Sequence, residues 1–179
     1  MLVDVSELTR TPGGEEVRQG TVAFTPDDLA LAELRAVEPA EVRLHLRNVG
    51  GTIITAGSAS TRVQVPCARC GKEFSLTVEA SWETTYRRGP EGSAGTVGIG
   101  EDGETEWTFF EGSAIDVTPD VIQALSLALP MKPLCRPDCR GLCPVCGQNL
   151  NEGSCSCEAQ TVDPRWAALQ DYARKTKGV

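Results

Sequence analysis

Between Cys135 and Cys157 the chain reads CRPDCRGLCPVCGQNLNEGSCSC, which puts six of its eight cysteines into 23 residues. No other stretch limits the fold so sharply. Leu142, Val145 and Leu150 are its main apolar side chains besides the cysteines, too few to drive folding by burial alone. A tetrahedral ion held by thiolates would have to supply most of its folding energy. Within it, Cys143-Pro-Val-Cys146-Gly147 is a C-x2-C-G turn. Such a turn aims two sulfurs at one ion from about 2.3 Å, and glycine after the second cysteine takes the positive φ that closes it.

The full spacing, C-x3-C-x3-C-x2-C-x8-C-x-C, offers more thiols than the four that one structural zinc site uses. Cys143 and Cys146 form the central pair. The favoured set is completed downstream by Cys155 and Cys157, with Asn149, Asn151 and Gly153 as turn formers between the pairs. Cys135 and Cys139 on the upstream side are the alternative second pair, and one cysteine from each side is a third arrangement. A closed site of four thiolates leaves no coordination position for water, which argues against hydrolytic zinc chemistry.

A second C-x2-C-G turn, Cys67-Ala-Arg-Cys70-Gly71, lies between two strand patterns. Two ligands do not make a site, so Cys67 and Cys70 either join spare cysteines of the C-terminal cluster as an extra pair or stay free of metal. A thiol redox pair is the other reading of this motif. It usually needs the N-terminus of a helix to depress the thiol pKa, and strand patterns flank this turn instead.

Eight cysteines suggest disulfides in an exported chain and metal in a cytosolic one. The opening MLVDVSELTR has neither the basic start nor the apolar middle of a signal peptide, and no run of 18 apolar residues occurs. The expectation is a soluble, cytoplasmic protein with no membrane contact and a structural Zn2+. Charge is unevenly spread: residues 1–129 carry 10 Lys/Arg against 20 Asp/Glu, a balance of −10, and residues 130–179 carry 7 against 5, a balance of +2. Neither half has the strong basic face of a general phosphate binder. Contact with RNA is therefore expected to be local or indirect, through a basic protein partner.

Along residues 1–130 the pattern predicts an acidic domain of mostly antiparallel sheet. The runs LVDVSEL and EEVRQGTVAF read as short strands around a Pro12-Gly13-Gly14 turn. Thr25-Pro26-Asp27-Asp28 reads as a helix start, with Leu29, Leu31, Ala32 and Leu34 as its apolar stripe. Three long strands follow. Val42, Leu44 and Leu46 alternate with Arg43, His45 and Arg47; TIITAGSASTRVQVP is a second strand, expected to be interrupted at Gly57; Phe74 to Glu83 alternates strictly. His45, the one histidine, falls on the polar face of its strand and is read as an exposed, non-catalytic side chain. Residues 88–105 read as a glycine-rich, acidic mobile loop, and Trp107 to Phe110 as a strand.

Asp116-Val117-Thr118-Pro119-Asp120 opens a helix whose Val121, Ile122, Leu125, Ala128 and Leu129 have helical spacing up to Pro130. Residues 131–179 make the second region: the cysteine knuckle and then a helix opened by Asp163-Pro164-Arg165, with Trp166, Leu169 and Ala173 on one side. Arg174, Lys175 and Lys177 at its end suit the negative pole of the helix dipole. The fold class expected is α+β, an antiparallel sheet with two or three short helices and a C-terminal zinc knuckle.

The stretch PLCRPDCRGLCPVCGQNLNEGSCSCE, followed by DPRWAAL, resembles the C-terminal signature of the YceD family, the large-ribosomal-RNA-subunit accumulation proteins of bacteria and plastids. VQVPCARCGKEFSLTVEASWE, with Val65, Cys67, Arg69 and Cys70, resembles that family's central V-x-C-x-R-C segment. The resemblance implies a non-enzymatic bacterial protein of the cytoplasm that supports accumulation or processing of 23S ribosomal RNA and assembly of the large ribosomal subunit. It implies no catalytic residues. An acidic body suits a basic large-subunit ribosomal protein better than naked RNA as the direct partner. The readings set against it are a zinc-knuckle adaptor in transcription and a thiol redox protein using Cys67 and Cys70.

Overall fold

The computed structural model describes all residues except 30–33, 35, 101–102, 104–105, 158–163, 167–168, 170–171 and 173–179. It divides into two compact units. One comprises Met1–Ala68 with Lys72–Cys135; the other comprises Arg69–Gly71 with Arg136–Val179.

The first unit is built on three consecutive strands, β4 (Ala40–Val49), β5 (Thr52–Pro66) and β6 (Glu73–Arg88). Each pairs antiparallel with the next, from Val49 opposite Thr52 and from Pro66 opposite Glu73. Every second residue of β4 is buried and its neighbours are exposed, as a half-wet strand requires. Leu44, Leu46, Ile53 and Val63 are fully enclosed on the inner face. Arg43, His45 and Arg47 stand on the other side; His45 is exposed, with its Nε2 3.6 Å from Glu15 Oε2.

The sheet extends in both directions. β2 (Glu15–Val22) pairs antiparallel with β4 at one edge. At the other, β8 (Glu106–Phe110) joins β6 in parallel, and β7 (Val97–Ile99) pairs antiparallel with β8. The strand order is β2-β4-β5-β6-β8-β7, and the two-residue β3 (Ala36–Val37) pairs with the far part of β5. A separate ribbon joins β1 (Leu2–Asp4) to β9 (Ala114–Asp116). Helix α2 (Thr118–Ala128) packs on β6 and β5 and buries Val121, Ala124 and Leu125. The α+β class with a mostly antiparallel sheet and few helices is thus what the chain forms.

Four local expectations change. The opening strand stops at Asp4, because the Asp4 carboxylate accepts the Ser6 N–H at 2.8 Å and starts α1 (Ser6–Arg10). Leu8 of that helix is 2% exposed, and Asn48 Nδ2 donates to its carbonyl at 2.8 Å. β5 runs unbroken through Gly57. That glycine is not a break but an accommodation: a Cβ there would lie 2.2 Å from the Trp82 ring on the paired strand. The Thr25 start yields a single 3-10 turn, Pro26–Asp28, in which the Thr25 N–H and hydroxyl both donate to Asp28 at 2.7 and 2.8 Å. Leu29 then leaves in extended conformation and is buried; Leu31 and Ala32 lie outside the described residues. Finally, the glycine-rich stretch contains β7, where Gly98 leaves room for the Trp107 indole.

In the second unit the predicted last helix opens with a 3-10 turn, Pro164–Trp166, and Leu169 and Tyr172 beyond it are helical; Asp163 lies outside the described residues. Ala173, Arg174, Lys175 and Lys177 lie outside the described residues. No helix among the described residues is long and apolar enough to cross a membrane.

Candidate metal centres

Both C-x2-C-G turns fold in the same way. In the first, the Cys67 N–H donates to the Lys72 carbonyl at 2.9 Å; in the second, the Cys143 N–H donates to the Gln148 carbonyl at 2.8 Å. Each bond spans five residues, and each turn closes with its glycine at positive φ, 70° for Gly71 and 74° for Gly147. Only glycine takes that conformation without strain. The sequence therefore builds one local device twice, and each copy brings its two cysteines to one side of a tight loop.

The eight thiols fall into two groups of four. Cys143, Cys146, Cys155 and Cys157 form one; Cys67, Cys70, Cys135 and Cys139 form the other; within each, the sulfurs lie within 4.8 Å of one another. In a tetrahedral zinc–thiolate site with bonds near 2.3 Å the sulfurs stand roughly 3.8 Å apart, so both groups have the right count and nearly the right size. The downstream pair thus lies beside Cys143 and Cys146, and the upstream pair beside Cys67 and Cys70. The two pairs that sequence spacing left as alternatives for one site belong to different groups.

The groups differ in exposure. Cys67, Cys70 and Cys139 are buried with Cys135 half-buried, whereas in the other, more exposed group Cys143 is buried, Cys155 half-buried, and Cys146 and Cys157 are exposed. In the exposed group the protons are unequally held. Backbone N–H groups of Cys146 and Val145, then the Cys155 thiol, draw Cys143 down to about 6; the Val145 N–H lies 3.4 Å from its sulfur. The Cys157 backbone favours the Cys155 thiolate, but the crowd of sulfurs led by Cys143 outweighs it and pushes Cys155 up. Hydrogen bonding to Cys146 pushes Cys157 up to about 12. Cys143 thus gives up its proton most readily, while Cys155 and Cys157 hold theirs. A divalent cation is the partner that reverses this order, since it stabilises all four thiolates together. The donor set, four soft thiolates, fits zinc and admits no water ligand.

Around the buried group the supporting contacts are specific. The Ala68 N–H donates to the Pro133 carbonyl at 2.8 Å. Arg69, inside the first turn, donates from Nη1 to the Cys139 carbonyl at 2.8 Å. Asn151 donates from Nδ2 to Cys139 Sγ at 3.4 Å. Sequence reading treated Asn149 and Asn151 only as turn formers. An Asn-x-Asn between two cysteine pairs is the signal that can suggest more, because an amide can both build a turn and donate to a sulfur.

Cys67 and Cys70 connect two strands, β5 and β6, and do not stand at a helix N-terminus, the setting that activates redox pairs.

The model of the family described as large ribosomal RNA subunit accumulation protein YceD matches residues 55–172. An uncharacterized protein of Mycobacterium tuberculosis strain H37Rv is 30% identical over 172 residues, covering 94% of this chain and 79% of its own. The maize protein named large ribosomal RNA subunit accumulation protein YCED homolog 1, chloroplastic, is 24% identical over 143 residues, 67% of this chain and 46% of its own. Its Arabidopsis thaliana namesake is 22% identical over 148 residues, 71% of this chain and 43% of its own. No solved structure matches the chain at a significant level. The family match takes in β6, α2 and all eight cysteines but for its start inside β5, well over half the chain, and the chain belongs to the YceD family.

Proposed function

We propose that this chain is a non-enzymatic factor that supports 23S rRNA accumulation or processing and assembly of the large ribosomal subunit in the bacterial cytoplasm. The observation that carries this reading is the family match over residues 55–172, together with the plant relatives named for large ribosomal RNA subunit accumulation. The two thiolate groups support a structural role for metal. In this reading each group takes one Zn2+, which neutralises thiolate charge and fixes two turns that have little apolar surface of their own.

The direct partner is a basic large-subunit ribosomal protein or the assembling subunit, and any rRNA contact is indirect. The balance of −10 over residues 1–129 favours a basic protein over a polyanion. A site of four thiolates leaves no open metal position for a water, which supports the non-enzymatic reading.

Depletion of the protein in its host, followed by sucrose-gradient profiles and quantification of large-subunit rRNA, tests the function. Reduced large-subunit rRNA with a deficit of large subunits is the expected result; unchanged rRNA and unchanged profiles overturn it. Recovery of a polymerase subunit in place of ribosomal proteins by native pull-down would replace it with the transcription-adaptor reading.

A further inference from the structure

Asn151 sits in the loop between Cys146 and Cys155, so its backbone belongs to the exposed cysteine group, yet its side chain reaches a ligand of the buried group. Its Oδ1 accepts the Arg140 backbone N–H at 2.8 Å and Arg136 Nη2 at 2.7 Å. Its Nδ2 donates to Asn149 Oδ1 at 2.8 Å and to Cys139 Sγ at 3.4 Å. An amide offers two donor hydrogens and two acceptor lone pairs, and all four are used.

This arrangement also fixes which end of the amide faces the sulfur. A backbone N–H and a guanidinium can only donate, so the atom they approach must be the oxygen. The NH2 group is left facing Cys139. Asn149 supports it from the other side: it accepts the Asn151 backbone N–H at 3.1 Å and donates from Nδ2 to Glu152 at 3.0 Å. Cys139 is 2% exposed, so water contributes little to stabilising its thiolate and a fixed N–H donor counts for more.

We propose that Asn151 is a positioning residue for the metal of the Cys67, Cys70, Cys135 and Cys139 group, and that it couples the two groups because the loop carrying it is closed by the other one. Metal at Cys143, Cys146, Cys155 and Cys157 orders the loop, the loop presents the amide, and the amide holds the Cys139 thiolate ready for its ion. Coupling of this kind is reciprocal: filling either group raises the affinity of the other by the same factor. The inference rests on the two-zinc reading given above.

The test uses the whole chain loaded with 113Cd2+. Its readouts are the number of bound ions, the two 113Cd resonances, and the competition of each ion with a graded chelator. A Cys135→Ser variant assigns the resonance of the buried group. Asn151→Asp keeps the size of the side chain and its bonds to Arg136 and Arg140, but turns an oxygen toward the sulfur; Asn151→Ala removes the contact without adding charge.

The expected result is two ions in the native chain, and in both variants a shifted resonance for the buried group with its affinity lowered about 10–100-fold, the usual effect of losing such a supporting contact. Two ions with the buried-group resonance and affinity unmoved in both variants overturn the role of Asn151 and leave the two-zinc reading standing. One ion or none in the native chain overturns that reading and the inference with it.

Discussion

Gly57 of β5 lies directly opposite Trp82 of β6, and the volume that a side chain at residue 57 would need is occupied by the indole. A Cβ built on Gly57 would meet Trp82 Cζ2 at 2.2 Å and Cε2 at 2.4 Å. The glycine is therefore part of the packing of the inner face, although in sequence it looks like a weak point of its strand.

Gly57→Ala follows directly from this contact. Alanine suits a strand at least as well as glycine in backbone terms, so propensity alone predicts a neutral or slightly stabilising change. Overpacking against the ring should dominate, with a loss of about 1–3 kcal/mol. Urea unfolding followed by Trp fluorescence checks this. A midpoint at or above that of the native chain would show that the indole moves aside at little cost.

Asn48 anchors α1 to the β4–β5 turn. It is 1% exposed; its Nδ2 donates to Leu8 O at 2.8 Å, and its Oδ1 accepts the Gly51 N–H at 2.9 Å. Replacing it with Ala leaves the Leu8 carbonyl and the Gly51 N–H without that partner, at an expected cost of about 1–3 kcal/mol. Amide hydrogen exchange should report the loss first in α1 and in residues 48–51. Uniform acceleration across the whole sheet would contradict a local anchor.

Tyr86 and Asp120 join β6 to α2. The Tyr86 hydroxyl donates to Asp120 Oδ2. Burial, then the neighbouring Asp120 carboxylate, pushes the Tyr86 hydroxyl well above its usual range, so it remains a donor throughout the neutral range. Burial also pushes Asp120 above the usual carboxylate range, against the Tyr86 hydrogen bond that pulls it down. With a folded pKa above the unfolded one, this carboxyl favours the fold most fully below its unfolded pKa, and that contribution fades as pH rises through the folded value. Tyr86→Phe removes the donor that favours the ionised form. The variant should lose about 1–3 kcal/mol at neutral pH, and less below the range where Asp120 ionises. Denaturation curves at acid and neutral pH give the comparison; an equal loss at both would show that the hydroxyl does not act through the carboxylate.

Removal of metal should separate the behaviour of the two units. The sheet has its own apolar core, with Leu44, Leu46, Ile53, Ile115 and Leu125 fully enclosed, whereas in residues 136–157 Leu142 and Val145 are exposed and metal-bound thiolates are expected to supply the stability. Excess chelator under reducing conditions is expected to collapse the amide resonances of residues 136–157 toward random-coil positions while those of β4, β5 and β6 keep their dispersion. Retention of dispersed signals in residues 136–157 after complete metal removal would show that this segment folds without an ion.

The parts of this fold that sequence states are those with local periodicity. β4 alternates apolar and polar residues from Ala40 to Arg47 and β6 does so from Phe74 to Glu83, and α2 spaces Val121 and Leu125 one turn apart after a Thr-Pro start. What escaped depends on distant partners. α1 is five residues long with Leu8 as its buried side chain, and it is held by Asn48 from a strand forty residues away. β7 is Val97-Gly98-Ile99 in a polar, glycine-rich stretch, and it becomes a strand because Glu106–Phe110 offers it an edge.

The same division holds in the cysteine site. Each C-x2-C-G turn is a local motif and legible as such. Whether Cys135 and Cys139 lie beside Cys143 or beside Cys67 is a tertiary choice that spacing cannot make. Asn151 acts through one side-chain contact to a residue outside its own loop, which no periodicity encodes.

The ribbon of β1 and β9 pairs Leu2 with Asp116 and Asp4 with Ala114, and this has a consequence in time. A chain made at roughly 5–20 residues per second takes about 6–23 s to travel from the first of these strands to the last. The β4–β5–β6 meander pairs neighbours and can close while synthesis continues, but β1 has to wait for its partner. During that interval Val3, Val5 and Leu8, all buried at the end, stay open to whatever holds a nascent chain.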